Sequence, residues 1–287
     1  MAARRGPTYR RRELGKELRR LREGVGLTIQ EAVAGLGFSD TKLGRVETGH
    51  NSLPKAEDLE KLLNRYGIED IDDREFLMSL QRESLSRDRF IRFRHFLPSG
   101  MPMYMGLETD ALEARAWHPT LIYGLLQSEA YARAQFMTAK PINETTTAFV
   151  ENNVRLRMQR KERLTCAENP LTLRVILDEA ALRRVMGSAE VMKGQYEEIE
   201  RLNALDNVTV QILPMNVPAY RSDINFLILN FDARVDPIVT SDAGEMMTFT
   251  DKELDVWKYN QRFDAMRSEA LGPSATAEFL HQLAQEL

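Results

Sequence analysis

Leu14, Leu18 and Leu21 recur at the i, i+4, i+7 spacing of one buried stripe and predict a first helix from about Arg12 to Gly24. Gly24 and Gly26 end it. Thr28, with Glu31 three residues on, has the spacing of a capping box. Ile29, Ala32, Val33 and Leu36 give the helix that follows its inner face, and Gly37 supplies the positive φ of the next turn. Ser39 is a good N-cap for a third helix, in which Leu43 and Val46 share one face and Gly49 closes the end. Pro54 opens a fourth, packed back through Ala56, Leu59, Leu62, Leu63 and Tyr66.

Beyond this head, helical spacing continues over Asp72 to Arg89. The pattern then mixes aromatics with turn formers between Phe90 and Pro102. Leu107 to Trp117, Leu121 to Met137, Glu144 to Leu164, Ala180 to Met186, Ala189 to Leu205, Met246 to Leu271 and Ala275 to Leu287 read as helices. Leu171 to Leu177, Val208 to Leu213, Ile224 to Phe231 and Pro237 to Thr240 read as strands. The expected fold is therefore multi-domain: an all-α head, then an α+β domain with a small, mostly antiparallel sheet and packed helices. Its divisions are a flexible basic arm over 1–12, the head over 13–70, a helical connector over 71–100 and the α+β domain over 101–287.

Charge changes the picture more than composition does. The 287 residues carry a net charge of −4, yet residues 1–66 hold 14 Lys and Arg against 9 Asp and Glu. The remainder holds 25 against 34. Such asymmetry suits a chain with one phosphate-facing part. Five of the arginines fall in residues 2–12, where an arm would lie along phosphates or enter a minor groove. The longest apolar run, Ile224 to Phe231, is far short of the ~20 residues of a membrane span. No apolar segment follows the basic N-terminus to make a signal peptide. One cysteine, Cys166, excludes an internal disulfide and a multi-cysteine metal site. The expected compartment is the cytoplasm.

The four helices and their glycine-punctuated turn form the pattern of a helix-turn-helix. Its third helix would leave Asp40, Thr41, Lys42 and Arg45 where a major groove meets them. Arg45 has the geometry for guanine O6 and N7, and Thr41 for a base edge or a thymine methyl. Asp40 suits the helix start better than a phosphate-lined groove. The stretch LRRLREGVGLTIQEAVAGLGFSDTKLGRVETG resembles the phage-repressor-like, xenobiotic-response-element class of bacterial regulators. That resemblance implies double-stranded DNA as partner. It places Thr28, Ile29 and Gln30 at a backbone-facing start, and Asp40, Thr41 and Arg45 at base-reading positions with Lys42 beside them. His50, Ser52 and Lys55 fall in a phosphate-clamping loop, and Arg22 with Glu47 at a structural ion pair. Ile29 stands where many relatives have glutamine, so Gln30 inherits that contact.

HPTLIYGLLQSEAYAR, VILDEAALRRVMGSAEVMKGQ and LDNVTVQILPM resemble signature segments of a Streptomyces-type actinobacterial family that joins such a head to a C-terminal domain of unknown function. The resemblance implies a transcription factor with toxin–antitoxin-like gene organisation. Its body would sense a small protein partner or a small-molecule effector, and the regulator would act as a homodimer. The alternative is an antitoxin-like module that mainly sequesters a small protein.

Trp117, Tyr123, Gln127 and Tyr131 form the candidate pocket lining, aromatic with one amide; core packing is the competing reading. His95, His118 and His281 lack metal-ligand spacing, and His118 suits a turn or cap before Pro119. Asp178 and Glu179 suit a helix cap. No nucleophile elbow, P-loop or dinucleotide fingerprint is present, so neither enzyme activity nor a cofactor is expected.

Overall fold

The computed structural model describes residues 6–85, 100–242 and 246–287. They fall into two compact units. The first holds residues 6–85, 101–110 and 231–236; the second holds residue 100, 111–230, 237–242 and 246–287.

In the first unit, α1 (Pro7–Gly24), α2 (Ile29–Val33), α3 (Asp40–Glu47), α4 (Ala56–Arg65) and α5 (Ile71–Ser84) enclose a leucine-rich core. Leu14, Leu18, Ala32, Leu43, Val46, Leu59, Leu62 and Leu63 supply it, as the stripes predict. The Thr28–Glu31 capping box forms, and the Ser39 hydroxyl accepts the Lys42 amide at 3.1 Å. Gly37 and Gly49 have φ of +84° and +69°, conformations that cost a Cβ-bearing residue.

Three expectations are corrected here. The first helix begins at Pro7, so residues 7–12 are no flexible arm; Arg4 and Arg5 lie outside the described residues. Arg10 and Arg12 are absorbed by packing. Arg10 pairs with Glu13 and Glu83 at 2.6 Å each, and Arg12 is buried against Gly49. The helix start is held from a distance in sequence, since the Asp110 carboxylate accepts the Gly6 amide at 2.8 and 3.0 Å. A local reading of the N-terminus cannot see such a cap. Second, α2 stops at Val33 before Gly35, leaving Leu36 in the turn. Third, the expected connector from residue 71 begins as α5, which buries Leu77 and Leu80 in the head core and donates from Gln81 to the Leu53 carbonyl at 2.7 Å. The rest of the connector, 86–99, with His95 and the Phe90–Phe96 run, lies outside the described residues.

Also in this unit is α6 (Met101–Asp110), with Tyr104, Met105 and Leu107 buried. Segment 231–236 brings Asp236 to Lys16 at 2.7 Å and Asp232 to the Tyr9 hydroxyl.

The second unit is α+β, built on a six-stranded mixed sheet of order β3-β2-β1-β4-β5-β6. The strands are β1 (Glu113–His118), β2 (Thr172–Asp178), β3 (Val208–Leu213), β4 (Phe226–Asn230), β5 (Ile238–Asp242) and β6 (Met247–Thr250). Three of the five pairings are antiparallel, while β1–β2 and β2–β3 are parallel. The central strand β1 corrects the later part of the helix read over 107–117, whose first residues, 107–110, end α6. Its EARAWH alternates Ala114 and Ala116 inward, a period-2 pattern hidden by the helix propensity of alanine. Likewise β6 replaces the start of the helix read from Met246. The remaining elements are α7 (Glu129–Ala139), α8 (Thr147–Lys161), α9 (Glu179–Arg183), α10 (Ala189–Asn203), α11 (Glu253–Glu269) and α12 (Thr276–Gln285). Helix α11 packs Phe263 and Met266 against Trp117, Ile176, Phe226 and Ile228 on one sheet face. Asp178 caps α9 through the Ala180 amide at 2.9 Å and also accepts from Arg221 at 2.9 Å.

Candidate nucleic-acid interface

The outward face of α3 is defined by what its inward face is tied to. Leu43 and Val46 are in the core, and Glu47 is buried against Arg22. That pair is bidentate, with Arg22 Nε and Nη2 donating to the two Glu47 oxygens at 2.7 and 2.9 Å. Arg22 Nη1 also donates to the Leu27 carbonyl at 2.7 Å, so one guanidinium fixes α1, α3 and the approach to α2. Side chains three and four residues apart share a helix face. With Leu43, Val46 and Glu47 fixed inward, Asp40, Thr41 and Arg45 are left exposed.

The predicted contact residues divide by what they already touch. Arg45 is exposed, and its side chain has no ion pair or hydrogen bond among the described residues. Thr41 is exposed, its amide donating to Asp40 Oδ1 at 2.6 Å; Asp40 thereby serves the first turn. Lys42 is different: Nζ is 2.7 Å from Asp58 Oδ2 and 4.9 Å from the Phe38 ring centroid. It braces α3 on α4. Gln30 and Lys55 are exposed, and Ser52 is half-buried. Thr28 is exposed, but its hydroxyl is held by Glu31 at 2.7 Å, and exposed His50 leans on Thr48 at 3.0 Å. Sequence reasoning missed Arg65, which donates to the Glu31 and Ala34 carbonyls at 3.1 and 2.7 Å and so closes the short α2 from outside. No signal at Arg65 itself marks it, because the need arises only once α2 ends early.

The pocket-lining residues expected in the body separate. Trp117 lies in β1, fully buried under α11, with Nε1 donating to the Ser222 carbonyl at 2.9 Å; it is core, the competing reading, and sits on a strand instead of a helix. Tyr123, Gln127 and Tyr131 are buried too, on the α7 and α8 side, where Arg157 donates to Gln127 and Gln135. His118 ends β1 and packs on Tyr123, ring centroids 4.9 Å apart, with Nε2 buried and unbonded. It is thus a strand residue and not the cap expected before Pro119.

Burial, with Arg157 adding repulsion, pushes the His118 imidazole down to about 3. The unfolded chain takes up this proton near the ordinary 6.5, the folded chain only near 3. Folded stability from this group is therefore intact above the higher value and is lost as pH falls between the two. In His118→Gln, the decline in urea midpoint between about pH 7 and pH 5 should be shallower than in the parent; an unchanged decline would refute the assignment.

Among the described residues no group of His, Cys, Asp and Glu could hold a metal ion, and no helix is long and apolar enough to cross a membrane. The family model of a domain of unknown function (DUF5753) matches residues 101–282, and that of a helix-turn-helix domain matches residues 13–77. Neither the curated proteins nor the solved structures include a significant match.

Proposed function

The chain belongs to the DUF5753 family, and from that premise we propose that it is a DNA-binding transcription regulator of the phage-repressor-like class. It binds a pseudo-palindromic operator as a cytoplasmic homodimer. One head covers too little duplex for useful specificity, and half-sites about 34 Å apart suit a two-fold pair. The body receives the signal, from a small molecule or a small protein partner. Enzyme activity forms no part of this reading.

One observation carries it: Arg45 and Thr41 project from a helix whose other side is anchored by Leu43, Val46 and the Arg22–Glu47 pair. Arg45 supplies bidentate readout, and Thr41 a second base contact. Gln30 and Thr28 at the start of α2, with His50, Ser52 and Lys55 after α3, face the phosphates.

The test begins with sites recovered from genomic DNA bound in vivo. Arg45→Ala should weaken such a site by about 1–3 kcal/mol, relax preference at one base pair and leave random duplex nearly unaffected. Lys42→Ala should instead lower the melting temperature and weaken all sequences alike, because it loosens α3 from α4. Equal loss on specific and random DNA for Arg45→Ala would overturn the assignment.

A further inference from the structure

The α11 face of the sheet is apolar at one level and charged at the next. Trp117, Ile176 and Phe226, side by side on β1, β2 and β4, meet α11. One register step back, Arg115, Arg174 and Thr209 lie side by side on β1, β2 and β3. Like charges directly opposite on paired strands repel. Here a single carboxylate serves both arginines: Glu113 is 2.9 Å from Arg174 and 3.3 Å from Arg115, and also accepts from Asn230 at 2.8 Å. The layer keeps one uncompensated positive charge.

A cleft of about 440 Å³ opens on this layer, between the strands and the last turns of α11. That volume is within the range of small-ligand sites. Two charged residues line it, Arg174 and Arg267, with no carboxylate in the lining; the exposed ring of Pro273 gives it an apolar wall, while Phe263 and Ile176 beneath are buried in the core. Both arginines keep about half of their side-chain surface exposed. Among the described residues Arg267 is held only by Asp264 one turn away at 3.3 Å, an exposed pair worth little. The Thr209 hydroxyl has no partner among the described residues. Gln211 gives its Nε2 to the Leu271 carbonyl at 2.9 Å, which fixes the side chain in the cleft wall.

We propose that this cleft binds a small organic anion, a carboxylate or phosphate monoester on an apolar body. The head group sits between Arg174 and Arg267 and accepts from Thr209, and the body lies on Pro273. This gives the effector of the regulator a chemical class, and only the regulatory step rests on the DNA-binding reading. Binding is measured without DNA, so failure to bind and failure to regulate are separate results.

The experiment is calorimetric titration of the full chain with phenyl phosphate, benzoate, inorganic phosphate and benzyl alcohol. At least one aryl anion should bind saturably at one site per chain, and the preferred one identifies the head group. Benzyl alcohol and inorganic phosphate should bind about tenfold more weakly or not at all. Arg267→Gln, on an exposed helix turn, and Arg174→Gln should each weaken the preferred anion about tenfold or more. Arg267→Gln keeps the test valid if Arg174→Gln disturbs Glu113. Absence of saturable binding by both aryl anions, binding undiminished in Arg267→Gln, or inorganic phosphate matching phenyl phosphate would each overturn the proposal.

Discussion

Replacing Glu47 by alanine should cost the head about 3–5 kcal/mol, enough to unfold it under ordinary conditions, because it leaves the Arg22 guanidinium buried and uncompensated. Arg22 and Glu47 are each 7% exposed. Their two hydrogen bonds, at 2.7 and 2.9 Å, strengthen the hold of Arg22 on its proton, so the guanidinium stays charged. What remains for Arg22 is the Leu27 carbonyl and an exposed Glu23 at 3.3 Å, neither of which replaces a buried carboxylate. Replacing both partners by apolar residues, Arg22→Met with Glu47→Leu, should restore most of the loss, since desolvation of two ions is then avoided. A double-mutant cycle read by amide hydrogen exchange in α1 and α3 measures this within one unit of a two-unit chain. If the double variant is as unstable as Glu47→Ala, the cost lies in lost packing and not in the unpaired charge.

The head shows why some of this was legible beforehand. Its stripes, capping box and turn glycines are local, so each residue advertises its own role. The body was less so. Strand β1 is built around buried Ala114 and Ala116, whose propensity favours helix. Trp117 follows the strand: core packing is legible from its size, but the sheet face it covers is not. The candidate contacts were found as types and positions, but their engagements were not. Lys42 and Arg45 lie three apart in one helix, and nothing before folding says that Asp58, sixteen residues downstream, would claim one and leave the other. The cleft over Arg174 and Thr209 needs the strand register beside β1, which exists only once β1 is recognised.

Gly15 makes the same point through a substitution whose sign reverses on folding. Position 15 is mid-helix, where exchanging glycine for alanine ordinarily stabilises by about 0.5–1 kcal/mol. At Gly15 a Cβ would come within 2.6 Å of the Glu47 carbonyl oxygen and 2.9 Å of its carbon, with the Val46 oxygen nearer still. These are backbone atoms, and neither can yield. Val46 is packed in the core, and Glu47 is clamped by Arg22. Relief requires α1 and α3 to separate, and overpacking of this kind costs about 1–3 kcal/mol or more, which exceeds the propensity gain. Gly15→Ala should therefore destabilise the head, whereas Gly24→Ala, at the end of the same helix with open space around it, should be neutral or stabilising. Because the displaced element is the one that carries Thr41 and Arg45, operator affinity should fall in Gly15→Ala even where the head stays folded. Amide exchange in α1 and α3 reports the first effect, and DNA titration at a temperature where both variants are folded reports the second. A Gly15→Ala head as stable as the Gly24→Ala head would mean that α3 does not ride on α1 at this crossing, and with it would go the argument for what holds Arg45 outward.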